Sequence, residues 1–376
     1  MKKQISKFIK YLLNQRKIRF YRKSYKGLLK RNNLPNFKCP GEDKWITKWS
    51  AFGTPDPVFY RLFYPYIGED VNILPEDFCS AYIEPILNPR AYVTYYSDKN
   101  VFDKLLPAGS LPKTILRKIN GFYYTPNYIT INISTTEEVV KLLDASSITK
   151  IVIKPSIDTS SGKGVCFFEK VNDEWKNLEN NEPLTLDFLN KRCGNHFIIQ
   201  ECLKQSNELN YYNSTSINTL RLSLYRSVTT NECHITNSII RIGSKGSLVD
   251  NAHAGGAYVG IMQDGTLCKQ VLNQYGETTT YFNDIDFTQT HIIPNFDKVV
   301  AFAKMIGGKL PHLRLLALDI MIDDSGNPRL IEFNSSGYSM WLFQFTTSSA
   351  LGEYTDEVIE YCKSNINNYS IRILLK

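Results

Sequence analysis

The stretch from Leu313 to Ser336, LRLLALDIMIDDSGNPRLIEFNSS, constrains the fold more than any other part of the chain. Two apolar runs flank DDSGNP, whose Asp, Gly, Asn and Pro residues supply the backbone angles of a tight turn. An antiparallel hairpin follows, and with it a commitment to a sheet. Yet each run carries an acid: Asp319 in the first and Glu332 in the second, with Asn334 two residues on. A solvent-facing ladder of polar groups is the plain account. The register suggests another. With Ser325 and Gly326 at the centre of the turn, Asp319 falls directly opposite Glu332, and the two-residue period of a strand puts Asn334 on the same face. Opposed carboxylates repel. A divalent cation removes that penalty, and three oxygen-bearing side chains in one patch suit Mg²⁺, which keeps some waters and takes further ligands from phosphates.

The chain has 376 residues, enough for two or three subdomains and a sizeable core. Its 43% hydrophobic and 22% charged residues are ordinary globular composition. No apolar run approaches the ~20 residues of a membrane span, and the N-terminus lacks the apolar core and cleavage site of a signal peptide. The eight cysteines are scattered without a CxxC pair, and the five histidines show no HExxH spacing. Zinc chemistry and a disulfide framework are therefore not expected, and a reducing cytoplasm is.

Charge is uneven. Residues 1–50 carry fifteen Lys or Arg against Glu42 and Asp43, a net of +13, so the rest of a +7 chain carries −6. KKQISKFIKYLLNQRKIRFYRKSYKGLLKRNN places Ile5, Phe8, Ile9, Leu12 and Leu13 near helical spacing and reads as a basic amphipathic helix. Through residues 1–31 such a helix suits an anionic membrane surface, giving peripheral attachment at the inner face, or an acidic partner. The plainer account is a docked helix with a solvated basic face. Nucleic acid is not expected, since no recognisable module accompanies the charge.

Residues 51–110 are rich in proline and aromatics and break into short elements, with a helix near Lys99–Leu106. Beyond 110, strands and helices alternate: YITINI, KIVIKPS, GVCFFEKV and HFIIQECL as strands, STTEEVVKLL and LTLDFLNKRC as helices. Ser134 and Glu137 stand at capping-box spacing. From 217, strands dominate (INTLRLSLYRSV, CHITNSIIRIG, GAYVGIM), followed by helices at FDKVVAFAKMIGG and EYTDEVIEYCKSN. The mixture predicts an α+β or α/β fold in several layers, of which α+β is the expected class. Its expected divisions are a basic helical segment (1–50), a small N-terminal domain (51–110) and two further subdomains (111–203 and 204–376).

Several residues have the chemistry of a phosphate site. KPSIDTSSGKGV is not a Walker A loop, because Ile157 stands where its first glycine belongs and Gly164 replaces the Ser or Thr after the lysine. Thr159, Ser160, Ser161, Gly162, Lys163 and Gly164 still offer small side chains, N–H groups and a flexible backbone between two strands, as a flap over phosphates would. An empty hairpin loop is the alternative. Lys154 ends an apolar strand and needs an anion there. Arg221 and Arg241, on later strands, suit a phosphoryl group or a carboxylate, with structural ion pairing as the alternative.

This order of residues resembles the ATP-grasp superfamily, which includes D-alanine–D-alanine ligases and other carboxylate–amine ligases. The resemblance runs from Lys99 to Gly337. It implies two α/β subdomains clamping ATP. SDKNVFDKLL and IVIKPS resemble the segments whose lysines, here Lys99 and Lys154, reach the phosphates, and SSGKGV is similar to the flap. FIIQECL resembles the adenine hinge, with Gln200 or Glu201 and the backbone near Leu203 meeting the base. Glu208 takes the place of the ribose acid. LDIMID and IEFN carry over Asp319, Glu332 and Asn334 as Mg²⁺ ligands. SINTLRL, IRIGSKGSLVDNAHAGGAYVGIMQDGTL and YIEPILN resemble the sugar-transfer-associated branch and, more distantly, teichuronopeptide-type members. The sequence departs from the wider pattern in two places. Ser335–Ser336–Gly337 stands where many ligases have a proline–glycine. Ala317 stands two residues before the metal aspartate, where D-alanine ligases place an arginine, so the phosphoryl-stabilising cation falls to Arg221 or Arg241.

NAHAGG offers Asn251, His253, Gly255 and Gly256 as a polar loop lining the acceptor site. An exposed histidine in a turn is the plainer account of His253, although its ordinary pKa near ~6.5 would suit a base. The resemblance implies an ADP-forming ligase. It would activate a carboxylate as an acyl phosphate and join it to an amine, the acceptor being a uronic-acid sugar or polysaccharide of the capsule or cell surface and the amine an amino acid or amino alcohol. A nucleotide-binding scaffold for glycosyltransferases and a sugar kinase are the alternatives.

Overall fold

The computed structural model describes residues 2–34, 36–157 and 164–369, with side chains from Phe8 onward. The flap residues Thr159, Ser160, Ser161, Gly162 and Lys163 lie outside the described residues. The chain forms two compact units: residues 94–206 with 322–331, and residues 1–93 with 207–321 and 332–376.

The first of these is built on a seven-stranded sheet. Its strands are β1 (Thr114–Ile119), β2 (Phe122–Tyr124), β3 (Thr130–Ile131), β4 (Lys150–Pro155), β5 (Cys166–Val171), β6 (Glu174–Asn177) and β7 (Phe197–Glu201), in the order β3-β2-β1-β7-β4-β5-β6. Every one of these pairings is antiparallel. Ile151, Ile153, Phe168, Phe197 and Ile199 bury one face under the helix Thr136–Asp144 through its Val139 and Leu143. That helix starts one residue later than the Ser134–Glu137 spacing predicts. Thr135 is the N-cap, its hydroxyl accepting the Glu138 N–H, while the Glu138 carboxylate accepts the N–H groups of both Ser134 and Thr135. YITINI contributes only Thr130–Ile131 to the sheet, and the predicted helix at 99–106 is a short 3₁₀ turn, Lys99–Val101, running into Phe102–Leu105.

The remaining strands are β8 (Leu220–Arg226), β9 (Cys233–Ile242), β10 (Ala257–Ile261), β11 (Leu267–Leu272), β12 (Thr278–Thr279), the small pair β13 (Tyr281–Phe282) and β14 (Ile285–Asp286), β15 (Leu315–Ile322) and β16 (Pro328–Asn334); all belong to the other unit except Ile322 and the first four residues of β16. The larger sheet runs β12-β11-β10-β9-β8-β15-β16. Antiparallel pairing in both sheets makes the chain α+β, as expected.

Helices from residues 1–93 cover one face of this sheet. Trp45, Trp49, Phe59 and Phe63 share a core with Tyr225, Tyr258, Leu315, Ala317 and Phe343. On the opposite side packs the helix Phe296–Gly308, and Gly307 permits its close approach. A Cβ there would lie 2.5 Å from a Leu224 methyl carbon. Both faces of β15 are consequently buried along its whole length. This explains why LLALDIMI shows no apolar–polar alternation, and it disposes of a solvent-facing Asp319, which is 2% exposed.

The N-terminal helix, Lys2–Arg31, docks through Asn14, Ile18, Tyr25 and Leu29, one face at helical spacing. The apolar residues expected to pack lie elsewhere: Phe8 and Leu12 are exposed, and Ile9 and Leu13 are half-buried. No helix among the described residues is long and apolar enough to cross a membrane.

Candidate functional site

The hairpin that carries the acids closes differently from the sequence arithmetic. Asp323 N–H bonds to Asn327 O at 2.9 Å and Gly326 N–H to Asp323 O at 2.9 Å, with Gly326 at φ 77°. This is a three-residue turn with a bulged glycine, not a two-residue turn centred on Ser325 and Gly326. Asp323 fixes it further, its carboxylate accepting the N–H groups of Ser325 and Asn327. The direct opposition of Asp319 and Glu332 rested on the two-residue centring, and this turn does not set that register.

Asp319 is met from other directions. On β8 its cross-strand partner is Arg221. The guanidinium grips both carboxylate oxygens, Nε at 2.7 Å and Nη2 at 2.9 Å. Arg241, on β9, reaches Oδ2 at 3.3 Å, and Asn334 Nδ2 lies 3.4 Å from the same oxygen. Burial alone would raise the Asp319 pKa, but the two arginines and these bonds bring it below the ordinary carboxylate value. Asp319 and Glu332 in turn raise Arg221 against its own burial. Glu332 therefore belongs to the same electrostatic neighbourhood.

Arg241 continues the network outward. It bonds Asp250 Oδ1 at 2.8 Å and Asn251 Oδ1 at 2.7 Å, while the other Asp250 oxygen accepts the Thr219 N–H and hydroxyl. The loop after Asn251 turns sharply. Gly255 has φ 86°, and a Cβ on Gly256 would sit 2.8–2.9 Å from the carbonyl oxygens of Asp250, Asn251 and Ile242. Gly256 is thus a packing requirement of the backbone, and among the four loop residues Asn251 is the one that joins the charged network. His253 is exposed and pairs with Gln274.

In the other unit, a small cleft is lined by Lys99, Lys154 and Gln200, together with Phe102, Asp103, Thr114 and Ile331. Three residues expected to meet nucleotide, separated by up to a hundred positions in the chain, thus share one concavity. β4 holds Lys154 opposite Ile198 of β7, and the Lys99 N–H bonds to Ser156 O at 2.8 Å. Gln200 is oriented by Nε2 bonds to Pro112 O and Thr114 Oγ1, each 3.2 Å. Glu201 turns to other work: Oε1 accepts the Lys113 N–H at 2.7 Å and lies 3.5 Å from Arg329. Leu203 follows the end of β7, outside the strand. Gly164 closes the flap's far end at φ 79°, where a Cβ would approach Pro155 Cγ at 3.0 Å. Glu208 is exposed on the short helix Asn207–Asn210, in the unit that holds Asp319.

Two positioning residues escaped the sequence argument. The buried Asn88 side chain accepts the N–H groups of Arg314 and Leu315 at 2.8 and 3.0 Å, and donates to Leu315 O at 2.5 Å and Ser335 O at 2.8 Å. One amide so ties the start of β15 to the residue after Asn334. Glu84 accepts the Gly337 N–H at 2.8 Å and the Tyr338 N–H at 3.4 Å, fixing the Ser335–Ser336–Gly337 loop. Both residues lie in YIEPILN, which drew notice only as a family feature; an Asn after an apolar helix gives no sign of a partner more than two hundred residues away.

The donor chemistry fits a hard divalent cation. Asp319 is ionised, and Oδ1 accepts from Arg221 Nε alone among the bonds described, which leaves it a lone pair. With Nδ2 turned to Asp319, the Asn334 carbonyl oxygen points another way. No group of three or more His, Cys, Asp or Glu suited to a metal occurs among the described residues. A cation here would rest on Asp319, Glu332 and the Asn334 amide oxygen.

No curated protein matches the chain. Among solved structures it is similar to the D-cycloserine synthetase DcsG, with 13% identity over 73% of each chain and a TM-score of 0.38. It is also similar to the ATP-grasp ligase PsnB complexed with minimal precursor, with 15% identity, 73% of this chain, 62% of that one and a TM-score of 0.37. A third is the D-alanine–D-alanine ligase from Bacillus anthracis, with 14% identity, 72% of this chain, 68% of that one and a TM-score of 0.38. The sequence itself matches the family described as sugar-transfer associated ATP-grasp over residues 78–359, three quarters of its length. The chain belongs to the sugar-transfer associated ATP-grasp family.

Proposed function

We propose that the protein is an ATP-dependent carboxylate–amine ligase acting on a uronic-acid sugar or its polymer in surface polysaccharide biosynthesis. The observation that carries this reading is the buried, ionised Asp319 beside Asn334, held by Arg221 and Arg241. An acid buried at this cost needs a charge-handling role. Mg²⁺, bound by Asp319, Glu332 and Asn334, would neutralise phosphate oxygens. Lys99 and Lys154 hold the nucleotide phosphates, and Gln200 lies on the adenine side with Leu203.

An acceptor carboxylate oxygen attacks the γ-phosphorus and ADP leaves, giving an acyl phosphate. An amine then attacks the acyl carbon, inorganic phosphate leaves, and the amine gives up a proton as the amide forms. Arg221 and Arg241 supply fixed positive charge, which needs no reorganisation as charge develops on the transferred group. Asn251 orients Arg241 and fronts the acceptor loop. The amine is an amino acid or amino alcohol.

The test incubates the protein with ATP, Mg²⁺, a panel of uronic acids and a panel of amines. ADP release that needs both partners, with an amide product by mass spectrometry, is the expected result. Phosphorylated sugar formed without amine would replace ligation by a kinase activity. ATP binding without any turnover would make the protein a nucleotide-binding scaffold.

A further inference from the structure

The basic residues of the N-terminal helix divide into two sets. Those on its flanks are bound to the rest of the protein: Lys10 to the carbonyls of Ile366 and Tyr369, Lys17 to Ser80 O, Arg22 to Asp77, Lys26 to Asp56 and Arg31 to Glu277. Arg16, Arg19, Lys23 and Lys30 are exposed and have no partner among the described residues. At 100° per residue these four fall on one side of the helix, opposite the docked Asn14, Ile18, Tyr25 and Leu29. The same outer side carries Phe8, Leu12 and Phe20, exposed by 61%, 48% and 63%. Ion pairs and bonds to carbonyl oxygens thus occupy the flanking cations and leave a continuous outward stripe from Phe8 to Lys30, about 33 Å long.

We propose that this stripe docks the protein on an anionic lipid surface. Charge complementarity selects the occupant. Four unpaired cations attract acidic headgroups, and the large apolar side chains among them suit the headgroup–acyl boundary. An acidic protein surface would meet the charges but would need a matching pocket for each of Phe8, Leu12 and Phe20, whereas a bilayer interface accepts all three in any register. The helix is already fixed by its docked face, so binding need not order it. This inference does not depend on the proposed chemistry.

Flotation of the full-length protein with vesicles tests it. Binding to phosphatidylcholine vesicles containing phosphatidylglycerol, weakening with added salt, and absence from pure phosphatidylcholine vesicles are expected. The triple variant Arg16→Gln, Arg19→Gln, Lys23→Gln should bind on the order of a hundredfold more weakly, at about fivefold per charge lost near the surface. Phe8→Ser with Leu12→Ser should also weaken binding while leaving its salt dependence in place. All these positions are exposed, so unchanged circular dichroism and melting temperature verify the fold. No binding to anionic vesicles at low salt, or equal binding by the triple variant, overturns the proposal. Binding to soluble polyglutamate but not to vesicles would assign the stripe to an acidic protein instead.

Discussion

At the scale of single residues, Asp319 and Glu332 differ in what else they hold together. Asp319 balances the half-buried Arg221 through two bonds and Arg241 through a third. Replacing it with Asn leaves two cations facing a neutral group, so Asp319→Asn should lose about 3 kcal/mol of stability as well as activity. Glu332 is half-buried at the end of β16 and adds its charge to the field on Arg221. Glu332→Gln should abolish ATP turnover with little change in melting temperature; near-normal turnover would remove Glu332 from the proposed metal site. The two variants measured together separate a ligand's role from a structural one. Asp319 was legible as anomalous because an acid in LLALDIMI has no ordinary reason to be there. Its arginine partner was not, because Arg221 lies 98 positions away and only strand order brings it alongside.

At the scale of elements, loops and caps set the site's geometry. Asn88 satisfies four backbone groups where β15 begins and β16 ends. Asn88→Ala strands those groups in the interior and should cost about 2–4 kcal/mol, visible as a lower urea midpoint. Because the same clamp spans the strands bearing Asp319 and Asn334, the variant should also need more Mg²⁺ for half-maximal turnover; an unchanged Mg²⁺ requirement would limit Asn88 to stability. Gly256→Ala forces a Cβ against three carbonyl oxygens. A destabilisation of about 1–3 kcal/mol is expected, with substrate affinity falling as the Asn251–Arg241 contact moves; calorimetric melting and a KM series would check it. Strand positions here were readable from apolar runs, and most long elements fall where the pattern put them. Boundaries were less so. The helix at Thr136 begins one residue late because Glu138, not Glu137, closes the capping box. The 313–336 turn holds three residues because Asp323 can bond two N–H groups at once.

For the whole molecule, buried acids away from Arg221 and Arg241 give stability a pH dependence of their own. Glu76 is pushed from 4.5 to about 8 by burial, by Glu84 and by Asp77, with the Tyr25 hydroxyl opposing. Tyr21 and Cys79 also feel its charge. Asp77 is raised to about 6 by burial, against its bond to Arg22, and burial raises Glu84 against the N–H groups it accepts. A raised acid is neutral in the native state over a range where the unfolded chain is ionised. Its stabilisation is complete below the unfolded pKa and is lost as pH climbs to the folded one. Melting temperature should therefore fall between about pH 5 and pH 8, and Glu76→Gln should flatten that slope. A slope that survives in Glu76→Gln would assign it to other groups. Asp319 works in the opposite sense: its lowered pKa contributes stability above the ordinary 3.8, lost as pH falls below it.

By itself the sequence determined an α+β chain with an acid-bearing hairpin, a lysine at the end of an apolar strand and a charge-segregated N-terminal helix. Those features are local, written in apolar period, turn chemistry and charge runs over ten or twenty residues. Tertiary structure alone decided that Arg221 and Arg241 grip Asp319, that Asn88 and Glu84 brace the strand ends, and which face of the first helix turns outward. Each of these is a contact between segments far apart in the chain. Such contacts are set by sheet order and core packing, and no single stretch of sequence carries them.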